Sequence, residues 1–377
     1  MNVVELQQQF IQYAKSIGVD RIGFTTADPF IEMKNRLKRQ QELNYQSGFE
    51  ESNIDKRTEP TKLLSTAQSI VAIAIAYPSR MKNAPIGKKG ERRGIFCRAS
   101  WGIDYHVAVR ERLQLMEEWL RQRVSNVEVK SMVDTGELVD RAVAERAGIG
   151  WSGKNCSIIT HEFGSYIYLG EMITNISFIP DQPIEAACGD CRLCIDICPT
   201  GAIIEGGQLN TQRCIAFLTQ TKGFLPDEFR GKIGNRIYGC DTCQTICPKN
   251  KGKINWLHEE FQPDPEIAKP LLEPLLTISN KEFKDKFGQI SGSWRGKKPI
   301  QRNALLALAH FKEKSAVPII IEVMNNDPRP VIRGTAAWAL GKIGGEGIEA
   351  VLFEQKVKEQ NEEVLKEIEK ALALLNS

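Results

Sequence analysis

The sequence predicts a multidomain α+β protein with an N-terminal α/β domain, a cysteine-rich domain of ferredoxin-like type and C-terminal α-helical, HEAT-like repeats. Three observations support this. Strand and helix patterns mix in residues 1–180, eight of the ten cysteines fall in 181–255, and Ala-Leu pairs recur in 256–377. A chain of 377 residues is also long for one core, since a domain usually holds about 100 to 200 residues. We expect domains at 1–180, 181–255 and 256–377.

The composition is that of an ordinary globular protein, with 42% hydrophobic and 26% charged residues. The longest apolar run, residues 69–77, is far shorter than the roughly 20 residues of a membrane span. The N-terminus has an early acidic residue and no basic leader, so we expect neither a signal peptide nor a twin-arginine leader. A cytoplasmic protein with no membrane partner is therefore expected. In that reducing compartment, clustered cysteines indicate metal sites before disulfides.

In the N-terminal domain, residues 70–76, 158–159 and 166–173 have strand patterns and residues 107–124 a helical one. These patterns fit either an α/β or an α+β arrangement. The order of the strands does not follow from one sequence.

The C-terminal domain contains a repeat. The pairs Ala307/Leu308, Ala339/Leu340 and Ala371/Leu372 are each 32 residues apart, and Pro328 lies in a turn between them. This interval predicts stacked helix pairs of HEAT-like type, with an ordinary helical bundle as the alternative. Either arrangement favours a binding platform over a site of chemistry.

The cysteines carry the most specific pattern in the chain. Cys188, Cys191, Cys194 and Cys198, followed by Pro199, have the ferredoxin spacing C-x2-C-x2-C-x3-C-P. In that pattern three thiolates hold one 4Fe-4S cluster and the fourth reaches a second cluster. Zinc also binds C-x2-C pairs, but zinc ribbons have no use for the two Cys-Pro tails.

The second run is one cysteine short. It supplies Cys240, Cys243 and Cys247, while Ile237 stands where a further cysteine is expected, and Cys214 is the one unassigned cysteine between the runs. We therefore predict one cluster on Cys188, Cys191, Cys194 and Cys247. The second is predicted on Cys198, Cys214, Cys240 and Cys243. The segment between Cys214 and Cys240 is expected to form a loop near the active site.

Three other stretches have features of functional sites. The basic residues between Arg80 and Arg98 suit either phosphate contact or a solvated surface. Asp134 precedes a Thr-Gly turn, where partial burial would raise its pKa and make it a general acid, although a plain turn residue is as well supported. Gly148, Gly150 and Gly153 match a dinucleotide-binding spacing, but the helical residues before them argue against that fold.

Together these segments resemble the epoxyqueuosine reductase family over essentially the whole chain. The residues that carry the resemblance are CRASWGIDYH, DTGELVDRAVAERAGIGWSGKN, CGDCRLCIDICPTGAI, CDTCQTICP and the helical tail. The family implies two 4Fe-4S clusters that reduce a cobalamin, which in turn converts epoxyqueuosine in a tRNA anticodon loop to queuosine.

The resemblance also implies site residues. Asp134 would be the proton donor beside cobalt, Cys97 would lie close to the corrin, and the cobalamin would contact Arg57, Lys154, Asn155, Ser157 and Ile158. His106 lies in an incomplete cobalt-ligand motif, so a base-off cobalamin without a protein histidine is expected.

A tRNA partner requires a basic surface with a stacking residue. We predict that it includes Lys222, Trp294, Arg295, Lys297, Lys298 and Arg302. The family implies tRNAs for Tyr, His, Asp and Asn, and a monomer served by a low-potential electron donor. The alternatives are a reductive dehalogenase-like corrinoid enzyme and a dicluster electron carrier.

Overall fold

The computed structural model describes residues 2–204 and 207–376. The chain forms two compact units, one of Met1–Arg80, Ile103–Cys214 and Asp241–Gln262, the other of Met81–Gly102, Ile215–Cys240 and Pro263–Ser377. Both cysteine runs contribute to the first unit, although Cys240 ends a segment of the second. The bounds of these units differ from the three predicted domains, whose division stays a prediction.

The strands alternate with helices in the first half of the chain and become rare in the second. They are β1 (Arg21–Thr26), β2 (Ser69–Ala76), β3 (Ile95–Phe96), β4 (Val129–Met132), β5 (Trp151–Ser152), β6 (Ile158–Ile159), β7 (Ile167–Thr174), β8 (Ile203–Ile204), β9 (Gln208–Leu209) and β10 (Arg236–Tyr238).

The α-helices are short around the cysteines, and the longest is α4 with 17 residues. They are α1 (Val3–Ser16), α2 (Ile31–Glu42), α3 (Ile54–Thr58), α4 (Tyr105–Arg121), α5 (Asp140–Arg146), α6 (Leu193–Asp196), α7 (Ile215–Leu218), α8 (Asp227–Arg230), α9 (Thr242–Thr245), α10 (Pro265–Ala268), α11 (Glu273–Thr277), α12 (Asn280–Phe287), α13 (Lys297–His310), α14 (Val317–Asn326), α15 (Pro330–Ile343), α16 (Ile348–Lys358) and α17 (Glu362–Leu375).

The first unit is built on a four-stranded sheet of order β1-β2-β7-β4. All three strand pairings are antiparallel, so of the two arrangements left open by the sequence this part is α+β. The eight residues of β2 are all buried, because β2 lies inside the sheet and its β-branched and alanine side chains pack on both faces. The strands predicted at 70–76, 158–159 and 166–173 and the helix predicted at 107–124 are all present.

The two faces of this sheet are covered by different helices. Apolar residues of α5 and α2 pack with Ile70, Ala72 and Ile173 on one face. On the other face a Cβ added at Gly170 would meet the side chain of Val109 on α4 at 2.6 Å, so a glycine is needed for this helix to lie so close. The ends of β4, α4 and α5 thereby frame the loop that carries Asp134.

The second unit has an all-α core. The repeated leucines Leu308, Leu340 and Leu372 lie on α13, α15 and α17 and are buried together in one apolar cluster. Alternate helices of the stack thus present the same position of the repeat to the core, which confirms the predicted helix pairs over the ordinary bundle.

The segment between Cys214 and Cys240 is a correction to the sequence-based expectation. It is not an open loop but contains α7, α8 and β10, and Leu218, Phe229 and Ile237 are buried in the core of the second unit. The apolar spacing within this segment explains why it packs. Within residues 2–204 and 207–376, no helix is both long and apolar enough to cross a membrane.

Candidate active site and cluster-binding residues

Asp134 lies at the centre of a hydrogen-bonded group in the first unit. The Tyr105 hydroxyl donates to Asp134 Oδ2 at 2.7 Å, and His106 Nε2 lies 3.4 Å from the same oxygen. On its other side, His106 Nδ1 is 2.7 Å from Asp104 Oδ1. The imidazole therefore stands between two carboxylates.

Local structure holds this group in place. Asp104 caps α4 by accepting the backbone N–H of His106 at 3.0 Å, which brings residues 104–106 together at the start of the helix. The Tyr105 ring stacks on Tyr168 of β7 with centroids 4.7 Å apart. Arg110 of α4 donates to the Thr135 hydroxyl at 3.2 Å and so ties the Asp134 loop to the same helix.

Asp134 itself has a backbone φ of +47°. A residue with a Cβ rarely adopts this left-handed conformation, and such strain is typical of functional positions. Its side chain is 54% exposed, so the carboxylate can be reached from outside.

The pKa of Asp134 corrects one expectation from the sequence. Burial alone would raise this pKa, as expected, but the hydrogen bonds from His106 and Tyr105 and the charges of His106 and Arg141 outweigh it and lower the pKa below its ordinary value. The carboxyl group is thus ionised at neutral pH and does not store the proton itself.

The proton is stored on the neighbouring imidazole. Burial alone would lower the pKa of His106, but its bonds to Asp104 and Asp134 and their negative charges raise it to about 9. A protonated imidazole has no lone pair free to bind cobalt. This supports the expectation that His106 is not a cobalt ligand.

Two further buried carboxyl groups interact electrostatically with Asp134, and the sequence did not single them out. Burial and the Asp134 carboxylate raise the pKa of Asp140 to about 6. Glu171 of β7 is 1% exposed, neither of its carboxylate oxygens has a hydrogen-bond partner among the described residues, and burial raises its pKa well above the ordinary value. A glutamate inside an otherwise apolar strand was the one signal in the sequence that could have revealed this group.

The cysteines predicted for the first cluster line one cavity. Its walls contain Cys188, Cys191, Cys194 and Cys247, together with Lys154, Asn155, Ile159, Ala187, Leu193, Pro248 and Lys249. The short helices α6 and α9, which carry Cys194 and Cys243, pack on each other and bring the two runs together. Four convergent thiols are the donor set that a 4Fe-4S cluster requires, so the residues present fit that group.

The cysteines predicted for the second cluster are divided between the units. Cys198, Cys214 and Cys243 belong to the first unit and Cys240 to the second. The Cys198 sulfur accepts the Ala202 backbone N–H at 3.3 Å. Burial alone would raise the Cys198 pKa, but this bond and those from Thr200 and Ile203 lower it, which favours the thiolate. The assignment of these four ligands stays a prediction.

Cys97 lies next to one of these predicted ligands within the second unit. Its backbone N–H donates to the Tyr238 carbonyl at 2.9 Å. A Cβ added at Gly239 would meet the Cys97 sulfur at 2.3 Å, and Gly239 has a φ of +71°, so only glycine fits here. Cys97 is thus held beside the residue that precedes Cys240.

Apart from Cys97, the residues predicted to contact cobalamin lie on several segments of the first unit. Arg57 lies in the last turn of α3, and its carbonyl accepts the Val139 N–H at 3.2 Å beside the start of α5. Ile158 is buried in β6, and the Ser157 N–H is bound by the Asn155 side chain at 3.2 Å. Charged and polar groups such as Arg57 and Asp134 suit the amide side chains of a corrin. Lys154 and Asn155 lie on the cysteine cavity.

Gly150 and Gly153, on either side of β5, have a packing role. A Cβ at Gly150 would meet the Ile159 carbonyl at 2.3 Å, and one at Gly153 would meet the Ile159 side chain at 2.5 Å. They allow β5 and β6 to pair closely, in agreement with the expectation that these glycines do not belong to a dinucleotide-binding fold.

Five of the six residues predicted for the tRNA surface are at least partly exposed. Trp294 is 52% exposed, its indole donates to the Gln220 side chain at 2.8 Å, and the Arg295 guanidinium lies 4.8 Å from its ring. Lys222 is exposed, whereas Lys297 and Lys298 are half-buried and the Lys297 ammonium donates to the Ile278 carbonyl at 2.7 Å.

Arg302 is a correction to that surface. It is 1% exposed, and its guanidinium donates to the carbonyls of Thr221, Gly223 and Leu218 at 2.7 to 2.8 Å. Arg302 therefore cannot reach a phosphate. It holds the turn that carries Lys222.

The basic stretch between Arg80 and Arg98 is partly structural. Within the second unit, Arg92 pairs with the buried Glu313 at 2.7 Å and Arg93 pairs with Glu266 at 2.9 Å. These two guanidinium groups are neutralised by carboxylates of the protein, so neither phosphate contact nor a solvated surface describes these two positions.

Comparisons with family models match three parts of the chain. Residues 57–135 match epoxyqueuosine reductase QueG, residues 187–250 match a 4Fe-4S double cluster binding domain, and residues 295–373 match HEAT repeats. The double-cluster match spans all eight predicted ligands and confirms two 4Fe-4S clusters as cofactors.

Relatives match the chain over its whole length. An epoxyqueuosine reductase of Bacillus anthracis is 68% identical over 375 residues, which cover 100% of this chain and 99% of the relative. A crystal structure of epoxyqueuosine reductase with a tRNA-Tyr epoxyqueuosine-modified stem loop has a TM-score of 0.98 at 66% identity and covers 100% of both chains.

A second solved structure concerns the loop described above. It is an epoxyqueuosine reductase from Bacillus subtilis with the Asp134 catalytic loop swung out of the active site, with a TM-score of 0.97 at 66% identity, covering 99% of this chain and 100% of that one. Identity at this level over the full length leaves one conclusion. The chain belongs to the epoxyqueuosine reductase family.

Proposed function

We propose that this protein reduces epoxyqueuosine to queuosine in tRNA anticodon loops, with electrons passing through two 4Fe-4S clusters to a cobalamin and with Asp134 as the proton donor. Family membership supports the reaction, and a relative of 66% identity binds the modified stem loop. The single observation that carries the assignment of Asp134 is its position between the Tyr105 hydroxyl and the protonated His106.

The reaction needs an acid as well as electrons. Conversion of an epoxide to an alkene consumes two electrons and two protons and releases the oxygen as water. A bound cobalamin supplies cobalt in a low oxidation state as the reductant of the epoxide carbon. The residues of this chain must bind the substrate, exclude water and protonate the departing oxygen.

Asp134 can do this with a proton drawn from His106. Because Asp134 is ionised and His106 is protonated at neutral pH, the pair holds one proton across the 3.4 Å contact. Negative charge that develops on the substrate oxygen draws the proton to the carboxylate and then to the oxygen. Tyr105 keeps Asp134 Oδ2 in place, and Asp104 keeps the imidazole oriented by its bond to Nδ1.

Arg57, Cys97, Asp134, Lys154, Asn155, Ser157 and Ile158 are the residues proposed to hold the cobalamin. Of these, Cys97 adjoins Gly239 and thus the proposed cluster ligand Cys240. This proximity within the second unit supports an electron path from the second cluster towards the cobalamin.

The exposed Trp294 and Lys222, with Arg295, Lys297 and Lys298, are proposed to bind the anticodon stem loop. Loop-reading proteins stack an unpaired base on an aromatic ring and neutralise neighbouring phosphates with basic side chains. Substrate tRNAs for Tyr, His, Asp and Asn, a cytoplasmic location, a monomeric state and a low-potential electron donor complete the proposal.

The test is turnover by anaerobically purified protein. Protein with about eight irons and bound corrinoid should convert epoxyqueuosine-containing tRNA to queuosine with a chemical reductant, measured by mass spectrometry of the digested nucleosides. Clusters without corrinoid binding would indicate an electron carrier instead. Corrinoid binding without turnover of the tRNA would indicate a dehalogenase-like enzyme.

Asp134→Asn tests the acid. It should keep the irons and the corrinoid and lose about 100-fold or more of the rate, the usual contribution of a general acid. The matched control is Glu137→Gln on the same loop, where the carboxylate pairs with Lys130 at 2.8 Å outside the Asp134 group. Equal rates for the two variants would remove Asp134 from the mechanism.

A further inference from the structure

The wall of the four-cysteine cavity contains an amide group that no bond accounts for. Asn155 is 6% exposed, and its Nδ2 has no hydrogen-bond partner among the described residues. A buried amide nitrogen with two unused N–H groups is destabilising unless something accepts from it. Asn155 also lines the cavity formed by Cys188, Cys191, Cys194 and Cys247.

The orientation of this amide is set by its own turn. Asn155 Oδ1 accepts the Ser157 backbone N–H at 3.2 Å, and a Cβ added at Gly153 would lie 2.6 Å from the same oxygen. The oxygen is therefore held on the side of residues 153–157. Because the amide is planar, its nitrogen is directed away from that turn.

A second polar group ties the same turn to the cysteine loop. The Lys154 ammonium donates to the Gly189 carbonyl at 2.6 Å, between Cys188 and Cys191. Gly189 has a φ of +46°, a conformation that favours glycine in the tight turn between two ligands. Lys154 thus places a positive charge next to the loop that would carry the cluster.

We propose that Asn155 donates a hydrogen bond from Nδ2 to a sulfur of the cluster held by Cys188, Cys191, Cys194 and Cys247, and thereby raises its reduction potential. The presence of that cluster is part of the proposed function, and the inference rests on it. It gives Asn155 a role towards the cluster in addition to the cobalamin contact implied by the family. Asn155 is a positioning and tuning residue and touches no reacting atom.

The physical reason is electrostatic. A cluster on four thiolates is anionic and gains a further negative charge when it is reduced. Hydrogen bonds to the cluster or ligand sulfurs stabilise the added charge, and they are among the factors that set the potentials of such clusters. Because Asn155 is only 6% exposed, one such bond has more effect than it would in solution.

The test is an anaerobic redox titration of the whole protein, followed by electron paramagnetic resonance. Asn155→Leu removes both N–H groups at similar volume, so one of the two clusters should shift to a more negative midpoint potential while the other stays unchanged. Asn155→Ser supplies a shorter donor and should restore part of the shift. The exposed Asn35→Leu on α2 is the control and should leave both potentials at their wild-type values.

A second measurement does not depend on the potential. Protein labelled with 15N only in asparagine side chains should show a hyperfine coupling between that nitrogen and the reduced cluster, and Asn155→Leu should abolish the coupling. The inference would be wrong if both clusters are intact, Asn155→Leu leaves their potentials unchanged and the wild type shows no asparagine coupling. That result would leave the proposed cofactor assignment standing. Wild-type protein that assembles no cluster on Cys188, Cys191, Cys194 and Cys247 would instead overturn the proposed cofactor assignment.

Discussion

The protonated imidazole between Asp104 and Asp134 leads to a quantitative prediction for His106→Gln. Glutamine retains a donor near Asp134 but carries no charge at any pH. The pKa of His106 rises from 6.5 to about 9, because the two carboxylates outweigh the effect of burial. At about 1.4 kcal/mol per pKa unit, this rise corresponds to about 3 kcal/mol of interaction with the imidazolium. The 54% exposure of Asp134 reduces it to about 2 kcal/mol after solvent screening.

The sign follows from linkage. A histidine whose pKa is raised by folding stabilises the native state fully below its unfolded pKa of 6.5, and this stabilisation is lost as the pH rises through about 9. Wild-type protein should therefore be more stable than His106→Gln by about 2 kcal/mol near pH 6, and the difference should vanish above about pH 10. Thermal unfolding of the anaerobic protein across this range measures it.

The same titration should appear in catalysis. The rate of epoxyqueuosine reduction by the wild type should fall as the pH rises through about 9, because His106 then has no proton to pass to Asp134. His106→Gln should lose this alkaline limb and react about 10- to 100-fold more slowly at neutral pH.

The matched control is His258→Gln. His258 Nε2 pairs with Asp20 Oδ2 at 2.7 Å in the same unit and belongs to no part of the Asp134 group. This control should keep the wild-type pH profile. An alkaline limb near pH 9 that survives in His106→Gln would refute the assignment of the stored proton to His106.

Three further predictions concern the clusters, the sheet and the tRNA surface. Cys214→Ala should lose about four of about eight irons and Cys247→Ala the other four, so iron analysis that finds all eight in either variant would contradict the ligand assignment. Glu171→Gln should remove a pH-dependent loss of stability, because burial raises the pKa of Glu171 well above 4.5. Relative to the variant, the wild type should lose about 1.4 kcal/mol of unfolding free energy per pH unit above about 4.5. Parallel stability curves for the two proteins would show that Glu171 is ionised in the fold. Lys222→Ala should weaken tRNA binding and reduce the slope of log K against log salt by about 1. Arg302→Met should mainly lower the melting temperature, because Arg302 is bound inside the protein. An unchanged salt slope for Lys222→Ala would remove Lys222 from the interface.

Much of the cluster site could be predicted from the sequence because its ligands follow from local spacing. The intervals in Cys188, Cys191 and Cys194 force three thiols around one tight turn, whatever the rest of the fold does. The pairing of Cys247 with that run is a prediction from the reciprocal arrangement of ferredoxins. The structure lines one cavity with these four residues.

The Asp134 site was only partly predictable. Its sequence neighbours predicted partial burial and a raised pKa, but Tyr105 and His106 come from another helix, almost thirty residues earlier in the chain. Long-range partners of this kind decide whether the Asp134 carboxyl group is protonated, and no local pattern reveals them. The same limit explains Arg302, which the sequence places in a basic run and the fold turns into the core.

The sequence by itself determined the cofactor class, the family and the repeat of the C-terminal helices, because each depends on residue types at fixed short spacing. Only the tertiary structure decided which charges face each other. It placed His106 between two carboxylates, left Glu171 alone inside the sheet and turned Asn155 towards the cysteine cavity. The physical reason is that pKa values and hydrogen bonds depend on distances and burial in three dimensions, whereas ligand spacing is a property of the chain.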